Sequence, residues 1–202
     1  MKTLFFTKKG GHGKTTHAIG YALYSNSILY TNDCDNGTLK IYGDMFKNSK
    51  LRPFGIGEEI EVDEKDNLVF DMGGFEDNRI LQIASFVDVC VVPVFYQSRA
   101  DFEPFINTIL ELEKYNKNIV ILINNTEKDY IGELESLLKE KFRYKIFVVS
   151  RSKYIRRLAD ENKTIFDLYK LGGLDKYMVR NLIKEIEEFY GYLQNINTKI
   201  KK

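Results

Sequence analysis

The sequence has only two cysteines, three prolines and no excess of either charge. Cys34 and Cys90 lack a C-x-x-C spacing, so they cannot build a structural zinc site by themselves. They predict reduced thiols rather than a disulfide framework. Three prolines and 14 glycines in 202 residues exclude collagen-like and low-complexity chains. Thirty basic against 29 acidic side chains leave a formal charge of +1, so bulk charge predicts no polyanionic partner. A local basic face remains compatible with that balance. No stretch reaches the ~18 apolar residues of a membrane span. The apolar patch within 1–7 is also too short for a signal-peptide core. The expectation is a soluble, cytoplasmic protein with one domain over 1–202. A chain of this length buries about 70% of its unfolded surface without a staple.

Apolar runs rich in β-branched and aromatic residues alternate with helical patterns. Strands are predicted at Leu4–Thr7, Ile28–Thr31, Leu68–Phe70, Val87–Val94, Ile119–Ile123 and Ile146–Val149. Helices are predicted at Thr15–Tyr24, Asn78–Phe86, Ala100–Tyr115, Glu127–Lys141 and Tyr154–Glu161. A last helix, Lys176–Asn195, carries Met178, Leu182, Ile186, Phe189 and Leu193 at a spacing that fits one buried stripe. Continuous apolar strands indicate a sheet covered on both faces. Strand–helix repetition makes the fold class α/β, with a mostly parallel central sheet and helices on both faces. The stretch 36–66 is less regular and is predicted to hold loops with a short strand or helix.

The first strand runs into Lys8-Lys9-Gly10-Gly11-His12-Gly13-Lys14-Thr15-Thr16 and then directly into a helix. Glycines let successive backbone N–H groups converge on an anion, and the helix terminus adds a favourable dipole. Gly10, Gly11, His12, Gly13, Lys14, Thr15 and Thr16 are therefore candidate phosphate-binding residues. Lys14 can reach the β- and γ-phosphates of a nucleotide, and the Thr15 hydroxyl can ligate Mg²⁺. The ordinary pattern G-x-x-x-x-G-K-[ST] wants glycine where this chain has Lys8.

With Lys9-Gly10-Gly11 ahead of Gly13-Lys14-Thr15, the loop resembles the deviant Walker-A ATPases of the ParA/MinD family, whose signature is K-G-G-x-G-K-[ST]. The resemblance implies a P-loop fold, ATP and Mg²⁺ as cofactors, and an ATP-sandwich homodimer. Lys9 then acts across the dimer on the partner's phosphates. The usual x is small, and His12 in its place is expected to meet a facing subunit.

Two carboxylate stations follow. Asp33-Cys34-Asp35 closes the second predicted strand, where open α/β sheets bind ligands. By resemblance Asp35 positions the attacking water, and Asp33 supports Mg²⁺ through water or orients the loop; the alternative is an Asx turn at 35–37. Leu68-Val69-Phe70-Asp71-Met72-Gly73-Gly74 fits a Walker-B strand, with Asp71 holding Mg²⁺. Gly73 and Gly74 suit a loop whose amide senses the γ-phosphate. Asn124, closing the predicted fifth strand, matches an asparagine that contacts the purine, or is a turn residue. Ser150-Arg151 through Leu158-Ala159, with Thr164-Ile165-Phe166, resembles the family's late segment and its short turn.

No acid–base dyad for a second substrate is visible, and His17 reads as a structural residue on the first helix. Hydrolysis is then the switch itself. Lys153, Arg156, Arg157, Lys176 and Arg180 concentrate positive charge late in the chain, as non-specific DNA binding requires. The alternative is a solvated helix face, since acidic residues are interleaved. The resemblance implies a short ParA-type partition ATPase, associated with the nucleoid and working with a ParB-like centromere-binding protein. Two alternatives are a MinD-like membrane-positioned ATPase and a metabolic enzyme of the same fold. Residues 192–202 have only a thin apolar face, which disfavours the membrane.

Overall fold

A computed structural model describes residues 1–32, 38–46, 50–55, 57–63, 65–73, 77–96 and 99–200. Strand β1 (Lys2–Phe5) is fully buried from Thr3 onward and leads into the glycine loop. Helix α1 (Lys14–Ser25) follows, then β2 (Ile28–Thr31), a short helix α2 (Thr38–Tyr42) and β3 (Leu51–Pro53). Next come β4 (Leu68–Asp71), α3 (Arg79–Phe86), β5 (Val89–Val94), α4 (Arg99–Leu112) and β6 (Ile119–Thr126). The chain ends with α5 (Lys128–Lys141), β7 (Lys145–Ser150), α6 (Lys153–Asp160), α7 (Ile165–Lys170) and the long α8 (Gly173–Ile200).

The strands form one seven-stranded sheet, ordered β3-β2-β4-β1-β5-β6-β7, and every pairing is parallel. β4 and β5 read LVFD and VCVVPV and are buried throughout, as expected of strands covered on both faces. One core layer packs Phe70, Phe105, Ile109 and Ile121 on one side of the sheet. The other packs Phe5, Leu29, Leu122 and Phe189 against α1 and α8. Burying each such side chain contributes about 1.5–3 kcal/mol relative to exposure.

Four expectations are corrected. The short strand expected within 36–66 is β3, three residues on an edge of the sheet with Arg52 and Pro53 exposed, and it shifts the numbering of the strands after it. The strand bearing Asp71 is consequently fourth in chain order, and that bearing Asn124 is sixth. Val87 does not open a strand; its N–H caps α3 on the carbonyl of Ile83. Thr164 is not merely a turn residue but opens α7 through a reciprocal capping box with Asp167. Finally, α8 buries Val179, Leu182, Ile183, Ile186, Phe189, Tyr190 and Leu193, whereas Met178 is on the outside.

Candidate functional site

β1 lies at the middle of the sheet, flanked by β4 and β5, so its carboxyl end opens between theirs. That is where open α/β sheets bind ligands. Gly11 and Gly13 have φ of +79° and +86°, a region that side chains with a Cβ rarely enter. Gly13 is also the N-cap of α1, makes no side-chain cap, and is followed by no acidic residue in the first turn. A helix N-terminus built this way has its amide donors and dipole available to an external anion.

Lys14 starts the helix, is 7% exposed, and has its ammonium 3.3 Å from the carbonyl of Lys9. It is folded back over the loop that it serves. Lys9 reaches the other way, to Asp101 in the first turn of α4, at 2.7 Å. Lys8 is likewise tied to α4, through Glu111 at 2.7 Å and the Thr108 hydroxyl at 3.1 Å from its N–H. The Lys9 side chain stays 38% exposed while Lys14 is buried, so the two lysines occupy different positions.

His12 is turned inward, against the expectation that it meets a facing subunit. It is 2% exposed, with Nδ1 3.4 Å from the Pro93 carbonyl at the end of β5. Burial lowers its pKa, so the ring is neutral near pH 7. Its Nε2 finds no hydrogen-bond partner among the described residues.

Asn124 is also turned inward. Its Nδ2 donates to the His12 carbonyl at 3.0 Å, and its Oδ1 accepts from His17 Nε2 at 2.9 Å. Both ends of the amide are engaged within the domain rather than presented to a base. His17, read from sequence as structural, is 2% exposed, and burial lowers its pKa to about 4. The unfolded chain takes up this proton below about pH 6.5, the folded chain only below about pH 4. Stability is therefore complete above about pH 6.5 and falls on acidification from there to about pH 4, by ~1.4 kcal/mol per pH unit for this group. Denaturant titrations at pH 7, 6 and 5 should show that slope, and His17→Gln should flatten it. A variant with the wild-type slope would contradict the assignment.

Asp71 closes β4 at 1% exposure and accepts from the Thr31 hydroxyl at 3.3 Å. The adjoining Gly73 N–H donates to Asn32 Oδ1, and Asn32 Nδ2 donates to Asp77 at 3.2 Å. Arg79 holds Asp77 at 2.7 Å, and that hydrogen bond keeps the carboxyl below its ordinary pKa. Sequence reading missed Asn32, Asp77 and Arg79, which carry no motif. Asp33, Asp35 and Gly74 lie outside the described residues. Thr15 and Thr16, next in α1, are half-buried.

Of the late basic residues, Lys153 lies on α6, and Lys176 and Arg180 on α8; the side chains of Arg156 and Arg157 are outside those described. Lys176 sits over the Tyr169 ring and Arg180 over the Tyr177 ring. The same stretch exposes Leu171, Leu174, Tyr177 and Met178, so this face mixes basic and apolar groups.

No protein-family model and no curated protein matches the sequence. Solved structures do. A putative plasmid partition protein from Borrelia burgdorferi, bound to AMPPNP, superposes with TM-score 0.64 at 16% identity, over 94% of this chain and 97% of that one. The cell-division protein MinD of Aquifex aeolicus gives 0.61 at 15% identity, over 94% and 96%. McdA from Cyanothece gives 0.61 at 14%, over 92% and 96%. The fold is that of the ParA/MinD-type ATPases. Within the ParA/MinD fold, the glycine loop of this chain takes the place between β1 and α1, beside the ends of β4 and β5. The described residues contain no helix long and apolar enough to cross a membrane.

Proposed function

We propose that this chain is an ATP-dependent dimerising switch ATPase that acts in plasmid or chromosome partition and binds DNA non-specifically when ATP-bound. The observation that carries the reading is the loop itself. An uncapped helix start with two left-handed glycines holds Lys14 inside and Lys9 outside. In this reading the loop amides of 10–16 cradle the phosphates, and Lys14 neutralises their β/γ charge. Thr15 and Asp71 would hold Mg²⁺, with Asp33 in support; both observed side chains present oxygen, as that ion requires. When bound, the ion would supply positive charge that offsets the charge developing on the phosphates. Asp35 orients water, Gly73 and Gly74 follow the γ-phosphate, and Lys9 completes the partner's site. Asn124 supports the loop from below. A ParB-like protein stimulates the cycle, and the nucleoid is its setting.

DNA binding rests on Lys153, Arg156, Arg157, Lys176 and Arg180. Titrating duplex DNA of random sequence should show binding with MgATP only, and a log–log salt dependence that steepens as phosphate contacts double in the dimer. Salt-independent or nucleotide-independent binding would count against it. The exposed Leu174, Tyr177 and Met178 beside Lys176 and Arg180 favour a second reading, docking on an anionic membrane as in a MinD-like ATPase. Sedimentation with anionic liposomes and MgATP separates the two.

A further inference from the structure

A chain of hydrogen bonds runs beneath the phosphate loop and ends on the last helix. Asn124 Nδ2 donates to the carbonyl of His12 at 3.0 Å, which leaves Oδ1 as the acceptor. That oxygen lies 2.9 Å from His17 Nε2, so Nε2 carries the ring proton and Nδ1 is bare. The Tyr190 hydroxyl of α8 lies 3.4 Å from Nδ1 and 3.3 Å from the His17 carbonyl. The donors of Asn124 and His17 both point toward the loop, and the single Tyr190 hydroxyl proton holds His17 from the far side, through its carbonyl or its Nδ1. Asn124, His17 and Tyr190 are 6%, 2% and 2% exposed, so water does not substitute for these partners. Two glycines make the path possible. A Cβ on Gly13 would stand 2.2 Å from Asn124 Nδ2, and one on Gly20 would stand 2.4 Å from the Tyr190 oxygen.

We propose that His17 is a positioning residue for the phosphate loop, acting through Asn124 and anchored from α8 by Tyr190. The peptide plane supplies the reason. In a trans peptide the carbonyl of His12 and the N–H of Gly13 point in opposite directions. Asn124 draws that carbonyl inward, so the Gly13 N–H turns outward into the cradle. His17 fixes the Asn124 amide in the orientation that donates to His12 rather than the flipped one. Without His17 Nε2, the buried Oδ1 of Asn124 loses its donor, and only the bond to the His12 carbonyl is left to hold the amide and the peptide it orients. The consequence for nucleotide rests on the ATPase reading above; the loop geometry does not.

The test compares His17→Leu, which removes both ring nitrogens, with His17→Gln, whose amide nitrogen reaches toward Asn124 as Nε2 does. Tyr190→Phe keeps the ring and removes only the hydroxyl. Loss of a buried hydrogen-bond partner should weaken binding of a fluorescent ADP analogue about tenfold in His17→Leu, and by less than about threefold in His17→Gln. Tyr190→Phe should fall between them. In the nucleotide-free protein, the NMR amide shifts of Gly11, Gly13 and Lys14 should move in His17→Leu and return in His17→Gln. Unmoved shifts in a folded His17→Leu, or equal disturbance by both His17 variants, would overturn the proposal. If His17→Leu does not fold, unmoved loop shifts in Tyr190→Phe would overturn it. Absence of nucleotide binding by the wild type would contradict the ATPase reading instead, and the nucleotide-free shifts would still decide the role of His17.

Discussion

Lys14→Ala is expected to abolish MgATP binding at working concentrations while leaving the fold intact. The side chain is 7% exposed and lies over its own loop, 3.3 Å from the Lys9 carbonyl. The buried ammonium costs desolvation in the empty loop, and an anion in the cradle offsets that cost. Removing it should therefore spare the empty protein and injure the complex. A charge-assisted contact in a buried site is worth enough to lower affinity about 100-fold or more when lost. A fluorescent nucleotide titration, with thermal melting as the control for folding, reads both quantities. Wild-type affinity in a folded Lys14→Ala protein would remove the phosphate-loop assignment.

Lys9→Ala should behave differently, because the structure holds Lys9 away from the buried lysine. Its ammonium pairs with Asp101 at 2.7 Å, but the lysine side chain is 38% exposed. The Asp101 side chain is only 12% exposed, so the pair is partly shielded; the open lysine end still lets the ammonium exchange Asp101 for another anion. In the proposed dimer of loaded subunits, Lys9 would leave Asp101 for the phosphates opposite. Charges supplied in trans to a transferring phosphoryl group contribute on the order of 10³–10⁵ in rate. The variant should bind ATP as a monomer within about threefold of wild type, yet lose turnover and dimerisation together. A lysine acting within its own subunit predicts the reverse, with nucleotide affinity as the first loss. Parallel steady-state hydrolysis and light-scattering measurements distinguish the two orders of defect.

The loop was legible in the sequence because its chemistry is local. Glycines, lysine and threonine within 10–16 state their own backbone requirement, and the flanking apolar run and helix period place them between β1 and α1. The strands of the inner sheet were legible for a similar reason, since complete burial leaves unbroken apolar runs. What surrounds the loop was not. Asn124 and Tyr190 stand far along the chain from His17, and only the stacking of β6 and α8 about α1 brings them together. No spacing rule predicts that meeting. His12 shows the same limit: a bulky residue in the signature suggests a side chain facing outward, whereas it turns in and is buried with Nδ1 3.4 Å from the Pro93 carbonyl. The pairing of Lys9 with Asp101 also depends on how α4 docks beside the loop, and neither residue announces the other. Met178 fits the apolar spacing of α8 yet is exposed, because the buried arc is set by Val179, Leu182 and Ile186.

If ATP in this loop joins two copies of the chain, as proposed, the molar mass in solution follows the nucleotide. Light scattering behind size-exclusion chromatography should give the monomer mass without nucleotide and with MgADP, and twice that mass with Mg-AMPPNP. Lys9→Ala should remain at the monomer mass throughout. A wild-type protein that binds Mg-AMPPNP and still elutes as a monomer, or a Lys9→Ala variant that dimerises normally, would rule out an ATP-joined dimer with Lys9 acting across it.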